Sequence, residues 1–158
     1  MLCIRQKSKY LPDNYRHISL LSCIDKHFEK LLHQRFMKFL NKQKVIILNQ
    51  YGFLKKHSTI SALIELVDNI NSMLDKGEFA LGIFLDLKKA FDTVNHSILL
   101  GKLEHYGIRG HANTFIKSYL TDRKQFTVVN GIKSTSQSIE TGVPQGSVLG
   151  PLFFYHLY

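Results

Sequence analysis

Between Ser22 and Lys42 apolar residues return every three or four positions, at Ile24, Phe28, Leu31, Leu32, Phe36, Phe39 and Leu40, and this spacing predicts a helix. Ser22, with Asp25 three residues on, has the form of a capping box at its start. A loop follows over Asn49–His57. A second helical pattern then runs from about Ser58 to Lys76, with Leu63, Ile64, Val67, Ile70 and Leu74 expected to face inward and Gly77 to stop it. The period changes at Phe79–Leu87, which is apolar nearly throughout and reads as a buried strand.

Two shorter helices are expected near His96–Tyr106, stopped by Gly107, and Ala112–Leu120. Gln125–Val129, Asn130-Gly131 and Ile132 onward form a β-hairpin pattern, because Asn-Gly suits the positive-φ turn that joins two strands. Residues 1–16 read as extended and basic, with Pro12 and Asn14 as turn formers. Gly142–Pro151 is punctuated by Gly and Pro and leads into the apolar Leu152-Phe153-Phe154-Tyr155. Strands separated by helices and closed by a hairpin argue for a mixed α/β (α+β) fold.

Composition narrows the function. The 158 residues are 44% apolar, enough for a real core. Lys and Arg number 21 against 12 Asp and Glu, a net charge of +9 that favours a polyanionic partner, most simply nucleic acid. An anionic membrane surface is the weaker alternative. Cys3 and Cys23 form no CxxC, which fits a reducing compartment, cytoplasmic or nuclear. The eight histidines show no ligand spacing, so they read as ordinary surface or half-buried imidazoles and not as a zinc site. The longest apolar run, Phe79–Leu85, is seven residues, too short to span a membrane. Met1–Arg5 lacks the apolar stretch of a secretory leader.

The chemistry centres on Phe84-Leu85-Asp86-Leu87-Lys88-Lys89-Ala90-Phe91-Asp92. A carboxylate at the end of an apolar strand needs a partner or a cation, and a strand holds it rigidly enough to bind metal. Mg²⁺ takes such oxygen ligands, and two-ion sites activate an attacking hydroxyl and steady a leaving phosphate. Strand-end Asp also commonly caps a following helix, and the strand alone does not choose between the two. The ring of Phe91 has the size to pack under a deoxyribose and to clash with a ribose 2′-hydroxyl. By itself, an aromatic there is ordinarily a core residue.

Taken in order along the chain, further segments join this one: Asn14-Tyr15-Arg16-His17-Ile18-Ser19-Leu20-Leu21, Phe28-Glu29-Lys30-Leu31, Gln50-Tyr51-Gly52-Phe53, His57-Ser58-Thr59, the run from Phe84 to Val94, and Gly142-Val143-Pro144-Gln145-Gly146-Ser147-Val148-Leu149-Gly150-Pro151. Together they resemble the reverse transcriptase of non-LTR (LINE-like) retrotransposons over almost the whole chain. The resemblance implies a right-hand polymerase, with residues 1–78 as a fingers region and 79–158 as a partial palm carrying inserted fingers helices and a β-hairpin. It implies Mg²⁺ (or Mn²⁺) as cofactor and an RNA template, a DNA primer and deoxynucleoside triphosphates as partners, with no membrane.

Residue by residue, the resemblance makes Asp86 the first catalytic metal ligand and gives the Leu87 backbone carbonyl to the second ion. It puts Phe91 at the gate against ribonucleotides and Gln145 and Gly146 in the nucleotide pocket beside the template. Gly146 also makes sense by itself, since a residue without Cβ lets backbone approach a ligand closely. Arg16 matches the arginine that clamps the triphosphate, for which a guanidinium fork is suited. Lys7 and Lys9 are weak candidates to assist it, against the default of solvated surface lysines.

Two departures stand out. His17 replaces a usual Pro and removes its fixed φ; Leu54 replaces a usual Arg and removes a positive charge. After Asp92 the acids are Glu104, Asp122 and Glu140, none adjacent. The family's aromatic-X-Asp-Asp hairpin, which supplies the second catalytic carboxylate pair, is therefore not expected in this chain, nor is a thumb. The expectation is a polymerase fragment without activity of its own. The alternative is a non-catalytic basic module that binds nucleic acid.

Overall fold

The computed structural model describes residues 2–5, 15–47, 49–129 and 131–155, with the backbone alone at 2–5, 17 and 155. Lys7, Lys9, Pro12, Asn14 and Asn130 lie outside the described residues. The chain divides into two compact units, one of residues 1–43 with 89–158 and one of residues 44–88.

In the first unit, β1 (Leu2–Arg5) and β2 (Tyr15–Ile18) pair antiparallel with Ile4 opposite Arg16. Helix α1 (Cys23–Lys42) follows. The capping box forms as expected: the Asp25 amide donates to Ser22 Oγ at 3.1 Å, and the Ser22 amide donates to the Asp25 carboxylate at 3.3 Å. A 3₁₀ turn at Ala90–Asp92 leads into α3 (His96–His105), whose first amides are capped by the Asn95 side chain. Gly107, at φ +96°, ends it. Helix α4 (His111–Leu120) packs on α3, and α5 (Leu149–Tyr155) packs on α1 and on the 3₁₀ turn.

Between α4 and α5 lie two short antiparallel ribbons. The inner one joins β4 (Val128–Val129) to β5 (Ile132–Lys133), where the Asn-Gly pattern predicts a hairpin, and Gly131 stands at φ +79°. The outer one joins β3 (Lys124–Gln125) to β6 (Gln137–Ser138). The core of this unit is the set of fully or nearly buried side chains Leu40, Val94, Leu99, Leu103, Ile116, Leu120, Leu149 and Phe153.

The buried face of α1 differs from the one its apolar residues suggest. Glu29, Phe36 and Leu40, spaced by seven and four residues, form the buried stripe, while Ile24, Phe28 and Leu31 are exposed. The second unit departs further from expectation. Helix α2 (Thr59–Asp75) forms with Ser58 as its cap, and Gly77 at φ +73° ends it. Yet Leu63, Ile64, Val67, Ile70 and Leu74, expected inward, are all exposed. Caps and spacing make a helix, but burial needs a facing surface that spacing does not supply.

Phe79–Leu87 corrects the expected buried strand. It has no regular structure, and Phe79, Leu81, Ile83, Phe84 and Leu85 are almost wholly exposed. A strand exists only through hydrogen bonds to a neighbour. None of the described strands pairs with this segment, so its β-prone residues have no ladder to join. Mixed helix and strand composition holds as expected, and no helix among the described residues is long and apolar enough to cross a membrane.

The contrast between units is measurable. Leu99→Ala, at a site 0% exposed, is expected to destabilise the chain by about 3 kcal/mol in urea unfolding. Leu63→Ala, at a site 59% exposed, should change stability by less than about 0.5 kcal/mol. Equal costs at the two sites would contradict the exposed face of α2.

Candidate functional site

Four of the residues picked out by sequence, Arg16, Phe91, Gln145 and Gly146, lie in or beside one loop of the first unit. The loop Thr141–Val148 folds back onto the segment Phe91–Asn95. The Val143 amide donates to the Phe91 carbonyl at 2.8 Å, the Gly142 amide to the Val94 carbonyl at 2.7 Å, and Thr141 Oγ1 to the Asp92 carbonyl at 3.1 Å. His96 Nε2 also meets the Gly142 carbonyl at 2.7 Å. Contact this close requires glycine at 142: its φ is +88°, and a Cβ there would lie 2.9 Å from the Asp92 backbone.

Gln145 sits at the outer bend. Its side-chain amide donates to Asp92 Oδ1 at 3.3 Å, and its carbonyl accepts the Ser19 amide at 2.9 Å. Gly146, at φ +92°, stands where a Cβ would press on Ile18 Cγ2 at 3.1 Å. Glycine is therefore favoured here by its backbone angle and by the approach of β2. Arg16 lies two residues before Ile18 on the same strand, so both side chains share the face that meets Gly146. Arg16 itself is exposed.

Phe91 is half-buried. Its ring packs on Phe154 of α5 with centroids 4.9 Å apart. This is the packing an ordinary core aromatic makes.

Asp86 and Leu87 belong to the other unit and are exposed there. The capping alternative for Asp86 does not form, since Lys89 holds the N-cap position of the 3₁₀ turn that follows. A carboxylate and a carbonyl are hard oxygen donors of the kind Mg²⁺ takes. They are too few to complete a site: among the described residues no group of three His, Cys, Asp or Glu side chains converges to hold a metal ion.

Sequence reasoning assigned no role to Glu29, which is 3% exposed. Its Oε1 accepts the Tyr119 hydroxyl at 2.6 Å and its Oε2 accepts the Val148 amide at 2.7 Å. Burial pushes the Tyr119 phenol well above its ordinary value, and the hydrogen bond and charge of Glu29 push it further. The signal in the sequence was an acid on the same helical stripe as Phe36 and Leu40, a position where burial demands a partner.

Comparison with known proteins gives one family. The pattern described as reverse transcriptase (RNA-dependent DNA polymerase) matches residues 4–157. The chain is 34% identical, over 94% of its length, to a probable RNA-directed DNA polymerase from transposon BS of Drosophila melanogaster, of which it covers 16%. It is 37% identical over 90% of its length to the RNA-directed DNA polymerase from mobile element jockey of the same species, covering 15% of it. It is also 29% identical over 90% of its length to the Pol polyprotein from type-1 retrotransposable element R2 of Popillia japonica, covering 20%. The chain thus spans only about a sixth to a fifth of these relatives.

The raised phenol of Tyr119 has a pH signature. Folded, it keeps its proton where an unfolded chain, with an ordinary value near 10.0, has lost it. Above pH 10 the unfolded state binds fewer protons than the folded one, so stability present below that pH falls as pH rises. Denaturant midpoints are expected to drop between about pH 9 and pH 11, and to drop less steeply in Tyr119→Phe. Identical slopes in both proteins would remove Tyr119 as the source.

Proposed function

The chain belongs to the reverse transcriptase (RNA-dependent DNA polymerase) family, and on that footing we propose that it forms the fingers and the first part of the palm of a polymerase that copies RNA into DNA for a non-LTR (LINE-like) retrotransposon. Residues 1–78 are read as fingers and 79–158 as partial palm with inserted fingers helices. The partners are an RNA template, a DNA primer and deoxynucleoside triphosphates.

The observation that supports this reading best is the convergence in one unit of Phe91, Gln145, Gly146 and the strand carrying Arg16. In the proposed pocket the exposed guanidinium of Arg16 binds triphosphate oxygens through paired N–H donors. Gln145 and Gly146 form the backbone wall against which base and template lie. The bond from Gln145 to Asp92 and the Ser19 amide on its carbonyl hold that wall still before any ligand arrives. The Phe91 ring is proposed to exclude a 2′-hydroxyl by bulk.

Asp86 is proposed as the catalytic carboxylate, and Asp86 with the Leu87 carbonyl as ligands for divalent metal. Bound Mg²⁺ (or Mn²⁺) would supply positive charge at the nucleotide phosphates. One carboxylate cannot hold two such ions, so residues 1–158 alone are proposed to lack polymerase activity. Primer extension with the purified chain on an RNA template should give no incorporation above background. Template-dependent incorporation would overturn that part of the proposal.

A second reading, a basic module that binds nucleic acid without catalysis, is favoured by the net charge of +9. Filter binding of single-stranded RNA should then weaken steeply, by about tenfold or more, between about 50 and 200 mM salt. Affinity indifferent to salt would remove this reading.

A further inference from the structure

We propose that Glu29 is a positioning residue for the nucleotide pocket: through Val148 it fixes the trailing end of the loop that carries Gln145 and Gly146. This rests on the pocket reading above. The loop is held at three places. Its leading end is tied to the Phe91 and Val94 carbonyls by the amides of Val143 and Gly142. Its bend is tied to Ser19, just past β2, and to Asp92 through Gln145. Its trailing end is tied to α1 by Glu29, whose Oε2 accepts the Val148 amide at 2.7 Å, two residues past Gly146.

Glu29 suits this task because it has nowhere else to turn. It is 3% exposed, and a charge so buried keeps only the partners the fold supplies. The Tyr119 hydroxyl, kept protonated by burial, occupies Oε1 at 2.6 Å and so orients the carboxylate with Oε2 toward Val148. A charged acceptor makes a backbone hydrogen bond stronger than a neutral one would. Ser147 closes the same turn, its hydroxyl donating to the Pro144 carbonyl at 2.8 Å and accepting the Gly150 amide at 2.8 Å. The Phe28-Glu29-Lys30-Leu31 segment thereby acquires a physical connection to the Gly142–Pro151 segment, 119 residues away for Glu29 and Val148.

The test is amide hydrogen exchange of the isotope-labelled full chain, read residue by residue. In Glu29→Ala, exchange at Gly146, Ser147 and Val148 should rise by about tenfold or more, while Leu99 and Ile116 in the core stay within about twofold of wild type. Glu29→Gln should restore most of the protection, since its amide oxygen accepts the Val148 N–H and its NH₂ donates to Tyr119 Oη. Should Glu29→Ala fail to fold, Tyr119→Phe frees Oε1 only, and a selective rise at Val148 is still expected. A rise shared equally by loop and core would make Glu29 a plain packing residue, and no rise would deny the latch; either overturns the proposal.

A second arm titrates dTTP with Mg²⁺ and follows the Gln145 and Gly146 amide signals. Glu29→Ala should weaken the wild-type response by about tenfold, and Glu29→Gln by much less. An unchanged affinity in Glu29→Ala would overturn the link to the pocket. Wild-type signals that ignore dTTP would instead sink the pocket reading, while the exchange data still decide the latch.

Discussion

The contact between Gly142 and the Asp92 backbone is the constraint on which the site depends. A Cβ at 142 would stand 2.9 Å from both the Cα and the carbonyl oxygen of Asp92. Because that space is empty, the loop Thr141–Val148 can lie flat on Phe91–Asn95 and exchange main-chain hydrogen bonds with it. Everything beyond follows from that docking. Gln145 reaches Asp92 and Ser19, Gly146 meets β2, and Val148 arrives over α1 where Glu29 accepts it. A loop held by main-chain contacts of this kind is fixed without needing a large side-chain core.

The second unit shows the opposite condition. Helix α2 has its caps and its apolar spacing, and Phe79–Leu87 has the composition of an inner strand, yet both are exposed. The chain spans about a sixth of the length of its relatives in two of three cases.

Much of the local structure could be read from residues alone. The capping box at Ser22 and Asp25, the stops at Gly77 and Gly107, and the pairing of β4 with β5 all form where expected. Each depends on a few neighbouring atoms, so a short stretch of sequence contains the whole cause. The motifs Phe84–Asp92 and Gly142–Pro151 likewise announced the family, which the comparison bears out over residues 4–157. Glu29 was missed as a buried acid because its partners, Tyr119 and Val148, are remote in the chain.

By itself, then, the sequence determined which segments coil, where they stop, and to which family the chain belongs, because these follow from short-range sterics and from motif identity. Only the tertiary structure decided which faces are buried, that none of the described strands pairs with Phe79–Leu87, and that Phe91, Gln145, Gly146 and the Arg16 strand come together while Glu29 bonds the end of the loop. Burial and pairing are properties of two surfaces, and a pattern along one chain describes only one of them.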